Sequence, residues 1–168
     1  MRRAELQEVQ APLKARYRDD PAAAVVTLRA TGTLGDDLTC SVATGRALVD
    51  AGLHPATGGD GGSVCSGDML LEALAACAGV TLRAVATALD LDVRAGAVHV
   101  AGDLDFTGTL AVDRDAPVGF RSIRVGFILD TDASADELAT LVRLTERYCV
   151  VLQTIATATS VSVTRLGT

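Results

Sequence analysis

Asp68-MLLEALAACAGVTLRAVATAL-Asp90 is the longest apolar stretch in the chain, and Cys77 lies near its middle. It holds no proline, is dense in Ala and Leu, and is bounded by acidic residues, so its pattern predicts a helix over 67–89. Ser66 is the expected N-cap, with Asp68 in the first turn favourably placed against the helix dipole. A helix apolar nearly all round has to be buried on most sides. Glu72 and Arg83 inside it argue against a membrane span. A chain of 168 residues has little material to wrap such a helix alone, so a second subunit is expected to help cover it.

The flanking segments read mainly as strands. Residues 24–34 alternate as a strand, Gly35-Asp36-Asp37 turns, and 38–49 is the expected hairpin partner. Residues 51–66 hold five glycines and Pro55, which marks a loop or lid. Beyond Asp92, 98–106 places Val98, Val100, Leu104 and Phe106 on one face. In 121–129 the apolar face is Ile123, Val125, Phe127 and Leu129. Residues 107–118 connect the two. Ser134 and Glu137 form a capping-box pattern opening a helix to about Arg147, Cys149 falls at a break, and a short helix follows. Residues 160–166 close as a strand, and 1–23 read as an arm or short first strand. Strands, long helix, strands, two helices and a strand make an α+β chain of one domain over 1–168, with no regular βαβ alternation.

Composition narrows the function classes. The chain is 49% apolar and 21% charged, and its net charge of −6 disfavours nucleic acid and anionic membranes as partners. The N-terminal MRRAELQEVQ lacks the apolar run of a secretory signal, so a cytoplasmic location is expected. Cys40, Cys65, Cys77 and Cys149 form no CxxC pair, and only His54 and His99 accompany them. No metal and no cofactor are expected from that spacing.

Each thiol has a bland reading and a chemical one. A cysteine on an apolar helix is most often a small hydrophobe, but Ala75, Ala76, Ala78 and Gly79 leave space beside Cys77 for a ligand or another chain. A mid-helix thiol gains nothing from its own helix dipole, so Cys77 needs a nearby arginine to ionise. Cys149 precedes a helix, where N–H groups lower a thiol pKa, although a buried turn cysteine fits equally. Cys65 sits twelve residues before Cys77, and a bond between them requires the loop to fold back along the helix. Cys40 alternates with Leu38 and Val42 and belongs to a core strand. Gly58-Gly59-Asp60-Gly61-Gly62 lacks the Lys-Ser/Thr of a phosphate loop and reads as a flexible turn. His54 and Asp60 with Cys77 make a thiol-protease set only if the fold converges them.

Gly58-Gly59, then Ser66-Gly-Asp68-Met-Leu-Leu-Glu-Ala-Leu-Ala-Ala-Cys77, and later Glu146-Arg-Tyr-Cys149-Val-Val resemble the OsmC/Ohr family of osmotically induced and organic-hydroperoxide-resistance proteins. The resemblance runs from about residue 24 to the C-terminus. It implies an α+β fold of antiparallel sheets around a long buried central helix, in an intertwined homodimer with sites at the interface. It further implies that Cys77 attacks an alkyl hydroperoxide and that Cys149 resolves the sulfenic acid as a disulfide, which a dithiol reduces. The family glutamate ten residues before the helix cysteine corresponds to Gly67 here, with Asp68 one residue off, and Ser66 and Val150 replace family prolines. Arg29 and Arg46 are the candidates for the activating arginine, and Cys65 for a substitute resolving thiol. Two other readings stand beside this one. In the first, the chain is a non-catalytic dimeric relative whose pocket holds an apolar or thiol-containing ligand. In the second, all four thiols are structural.

Overall fold

The computed structural model describes residues 3–34, 40–42, 51–62, 64–163 and 165, and for residues 3–7, 28–30, 32, 34, 40–42 and 51 the backbone alone. The elements run α1 (Arg3–Asp19), a 3-10 turn (Pro21–Ala24), β1 (Val25–Leu34), β2 (Cys40–Val42), β3 (Ala51–Gly52), a second 3-10 turn (Pro55–Thr57) and β4 (Val64–Cys65). Then come α2 (Ser66–Ala88), β5 (Ala95–Asp105), α3 (Phe106–Thr109), β6 (Phe120–Asp130), α4 (Ala135–Tyr148) and α5 (Val150–Ala156). The expected α+β class holds.

One antiparallel sheet, in the order β2-β1-β5-β6, forms the main layer. A second ladder, β3 with β4, is parallel and only two residues long, so the expectation of antiparallel sheets holds for the main sheet alone. Period-2 patterning sets the faces of the main sheet. Val98 and Val100 are buried while His99 between them is exposed, and along β6 every second residue from Ile123 to Leu129 turns inward. On the opposite face Asp103 binds Arg124, Ser122 and Thr27, and Arg124, acting first, holds its carboxyl well below the usual carboxylate range.

α2 lies on this sheet and is flanked by α4 and α5. Leu71, Leu74 and Leu82 from α2 meet Val98, Val100 and Leu141 in one continuous core. Each such side chain stabilises the fold by about 1.5–3 kcal/mol through burial. The helix is long and apolar enough to cross a membrane by length and composition, yet this face is packed as a core helix. The other face departs from the expectation of burial on most sides. Met69, Ala73, Val80, Ala84 and Ala88 recur at helical spacing and stay exposed, because one chain supplies one sheet and one helix pair.

Three sequence expectations change at the elements. Residues 3–19 form a helix, neither an irregular arm nor a first strand, because the Glu-, Gln-, Arg- and Ala-rich run favours helix, and Pro12 is accommodated inside it. Cys65, not Ser66, is the N-cap residue of α2, and it makes no side-chain cap bond. Residues 158–163 carry no strand, and Val161 and Val163 stand 81% and 96% exposed. Their alternation is strand-like, but no strand among the described residues pairs with them. Of the expected 38–49 strand only Cys40–Val42 falls within the described residues.

Candidate active site

Two helices meet at the cysteine pair. α4 opens with the expected capping box: Ser134 N–H donates to Glu137 Oε2 at 2.8 Å, and Glu137 N–H returns a 3.4 Å bond to Ser134 Oγ. It ends at Cys149, which is at once the C-cap of α4 and the N-cap of α5. The extended backbone there turns the chain so that the first N–H groups of α5 face α2. Cys149 is fully buried and Cys77 half-buried, and both are free thiols.

Burial pushes the Cys77 thiol up, but four hydrogen bonds to its sulfur together outweigh that. They come from Val151 N–H, the Cys149 thiol, the Thr81 hydroxyl and Val150 N–H, and they leave Cys77 below the ordinary thiol value. Cys149 is pushed up to about 11, by burial first and also by the neighbouring Cys77, against the Leu152 and Val151 N–H groups. The pair is therefore polarised: Cys77 is the more acidic of the two thiols and Cys149 the less acidic.

This reverses the expectation from helix ends. The α5 N-terminus assists Cys77 across the gap, while Cys149, seated at that terminus, is dominated by desolvation. Nor, among the described residues, is an arginine among the groups acting on Cys77. Arg46 lies outside the described residues. Arg29 stands opposite Ala101 in the β1–β5 register, and only its backbone is described. Thr81, one turn beyond Cys77, is the contributor that sequence reasoning missed, and its i+4 spacing was the available signal.

Asp68 is placed elsewhere. Nine residues before Cys77, it projects from the opposite side of α2, about 180° round and roughly 13 Å along the axis. Burial raises its pKa and the charge of His54 opposes that rise. His54 stacks on Phe106 with centroids 5.1 Å apart and accepts the Ala56 N–H through Nδ1. Cys65 starts the same helix that carries Cys77 twelve residues on. At about 1.5 Å per residue their backbones lie roughly 18 Å apart, beyond disulfide reach within one chain.

The glycine-rich loop is braced where a flexible turn was expected. Tyr17 Oη donates to Ala56 O at 2.7 Å and Gln10 Nε2 to Thr57 O at 3.2 Å, so α1 clamps it. Gly58 takes φ +95°, and a Cβ on Gly59 would lie 1.7 Å from the Leu53 carbonyl oxygen. The double glycine is thus a backbone requirement of this turn. His54, Asp60 and Cys77 do not converge as a protease set, since His54 faces Asp68 and Asp60 bonds its own Gly62 N–H.

α2, β6, α4 and α5 line an open-mouthed cavity of about 780 Å³, whose lining includes neither Cys77 nor Cys149. Its inner wall includes Leu74, Ala78, Phe127, Thr145 and Leu152, so it is mainly apolar. Among the described residues no cluster of His, Cys, Asp and Glu could hold a metal ion.

The OsmC-like protein family model matches residues 59–164, which span α2, both later strands and the two C-terminal helices. The chain belongs to the OsmC-like family. Two solved structures share the fold. An OsmC-like hydroperoxide resistance protein from Jannaschia sp. CCS1 is 18% identical, covers 82% of this chain and 91% of its own, and superposes with a TM-score of 0.58. An OsmC-like protein from Mycoplasma pneumoniae is 16% identical, covers 80% and 86%, and has a TM-score of 0.56. No curated protein matches this OsmC-like chain in sequence.

Proposed function

We propose that this OsmC-like protein is a cytoplasmic thiol-dependent peroxidase that reduces organic hydroperoxides and is regenerated by a dithiol. The observation that carries this reading is the polarised pair, a lowered Cys77 hydrogen-bonded to a raised Cys149. The thiolate is the nucleophilic form, and a neutral thiol already in contact with it is placed to resolve the product. Cys77 Sγ attacks the terminal peroxide oxygen, the O–O bond breaks, and a sulfenic acid and an alcohol result. Cys149 Sγ then displaces the sulfenic hydroxyl as water, forming the Cys77–Cys149 disulfide. The mainly apolar cavity lined by Leu74, Ala78 and Leu152 suits the alkyl part of an organic hydroperoxide. The hydroperoxide resistance named for the Jannaschia relative accords with this activity. The exposed apolar stripe of α2 supports a homodimer.

The test is treatment of reduced protein with stoichiometric cumene hydroperoxide, followed by disulfide mapping by mass spectrometry, with Cys77→Ser as control. A rapid Cys77–Cys149 bond that dithiothreitol reverses is the expected result. Unmodified Cys77 with peroxide left unconsumed rejects it. In that case the second reading, a dimeric binding protein, takes its place. It is favoured by one observation: among the described residues neither an arginine nor a carboxylate acts on Cys77. Native mass spectrometry of freshly purified protein would then show a retained apolar ligand.

A further inference from the structure

Among the described residues β6 is an edge strand. In the order β2-β1-β5-β6 it pairs with β5 alone, and from Ser122 to Asp130 that ladder is regular and β6 holds no proline or lysine. An edge of this kind accepts another strand unless something covers it. Burial marks the missing neighbour. Val98 and Val100, on the inner sheet face in β5, are fully buried, whereas Ile123, Val125, Phe127 and Leu129 of β6 are only half-buried. The open-mouthed cavity borders this strand: Phe120, Ile123, Val125 and Phe127 line it, as do Ile155 and Ala156 at the end of α5.

The chain that follows α5 has the pattern of a strand. Ser160-Val161-Ser162-Val163-Thr164 alternates polar and apolar residues, so an extended backbone puts both valines on one face. Residues 158–163 carry no strand in this structure, and the two valines are 81% and 96% exposed. The segment still belongs to the domain, since the OsmC-like match runs through residue 164. Only Thr157, Ala158 and Thr159 separate it from the cavity wall at Ala156, an extended reach of about 10 Å.

We propose that residues 160–164 dock on the free edge of β6 as a fifth strand and act as a strap that closes the cavity. Val161 and Val163 then turn inward onto the row Ile123, Val125 and Phe127. The same chain supplies the strap, because its short tether holds it beside β6 at an effective concentration on the order of millimolar. Docking gives the outward N–H and C=O groups of β6 main-chain partners and removes apolar surface on both sides from water. The cavity is entered when the strap lifts, so the tail governs access to it. This inference holds whether or not the chain is a peroxidase.

Amide hydrogen exchange on the full chain, read by mass spectrometry, tests it. In wild-type protein, peptides covering 160–164 and 122–129 should both exchange slowly. In Val161→Asp/Val163→Asp both should exchange faster on the order of a hundredfold, as for two valines losing their burial, while β5 peptides stay unchanged. The milder pair Val161→Ser/Val163→Ser should shift the same peptides in the same direction by a smaller factor. Wild-type residues 160–164 that exchange like an unstructured peptide overturn the proposal, and that reading needs no variant. Slow exchange at 160–164 with 122–129 unaffected by either pair also overturns it, by seating the tail elsewhere. Protection of both peptides that falls on dilution, while β5 stays protected, overturns it in favour of a tail exchanged between two copies.

Discussion

Desolvation acts on Cys77 and Cys149 alike, yet it prevails only at Cys149, because the N–H groups of Val150 and Val151, the Thr81 hydroxyl and the second thiol all point at Cys77. The alkylation rate of Cys77 should therefore rise with pH to a midpoint below the ordinary thiol value. Cys149→Ala removes one donor and should move that midpoint up, read from iodoacetamide kinetics across pH. A midpoint that stays put would deny that Cys149 stabilises the thiolate. Asp68 behaves oppositely: its folded pKa is raised by burial, so its contribution to stability is full below the unfolded value near 3.8 and is lost as pH rises through the folded pKa. Asp68→Asn should flatten that acid-side slope in denaturation curves and leave Cys77 alkylation unaltered. Both cysteines were legible in the sequence from their motifs. Their relative acidity was not, since it depends on which side of a helix terminus each sulfur occupies.

The α4–α5 break is the element that brings the site together. Its entry is set locally by the Ser134–Glu137 box, an exposed reciprocal pair that can be tested without disturbing the core. Ser134→Ala should cost about 1 kcal/mol of stability in urea titration, the usual value of an N-cap. A change within error would mean that tertiary packing alone holds the helix start. Strands β5 and β6 and helices α2, α4 and α5 were readable because their apolar periods are sustained over several turns or repeats. The N-terminal helix was not, because a charged run with little apolar periodicity reads equally as an arm. The 160–166 strand was read from alternation alone, and alternation does not supply a neighbouring strand to pair with.

At the scale of the whole molecule, the described residues cover only one side of the core helix. Met69, 40% exposed, and Val80, 39% exposed, lie on the open side with Ala73 and Ala84. A contiguous apolar strip on a central helix is expected to close against a second copy. Light scattering should then give a dimer for the wild-type chain and a monomer for Val80→Arg, because a charge buried at such a contact is left unpaired. A monomeric wild-type protein would sink that assignment. Covering this side would also take further solvent away from the neighbourhood of the half-buried Cys77.

By itself the sequence determined the α+β class, the long core helix and the strand faces, because local propensity and apolar period depend on neighbours a few residues away. Tertiary structure alone decided that Cys77, mid-helix, is served by the terminus of α5. It also placed Asp68 on the far side of α2 beside His54 and put Cys65 out of reach of Cys77. Those relations join residues far apart in the chain, and no local pattern encodes the angle at which two helices present their side chains to each other.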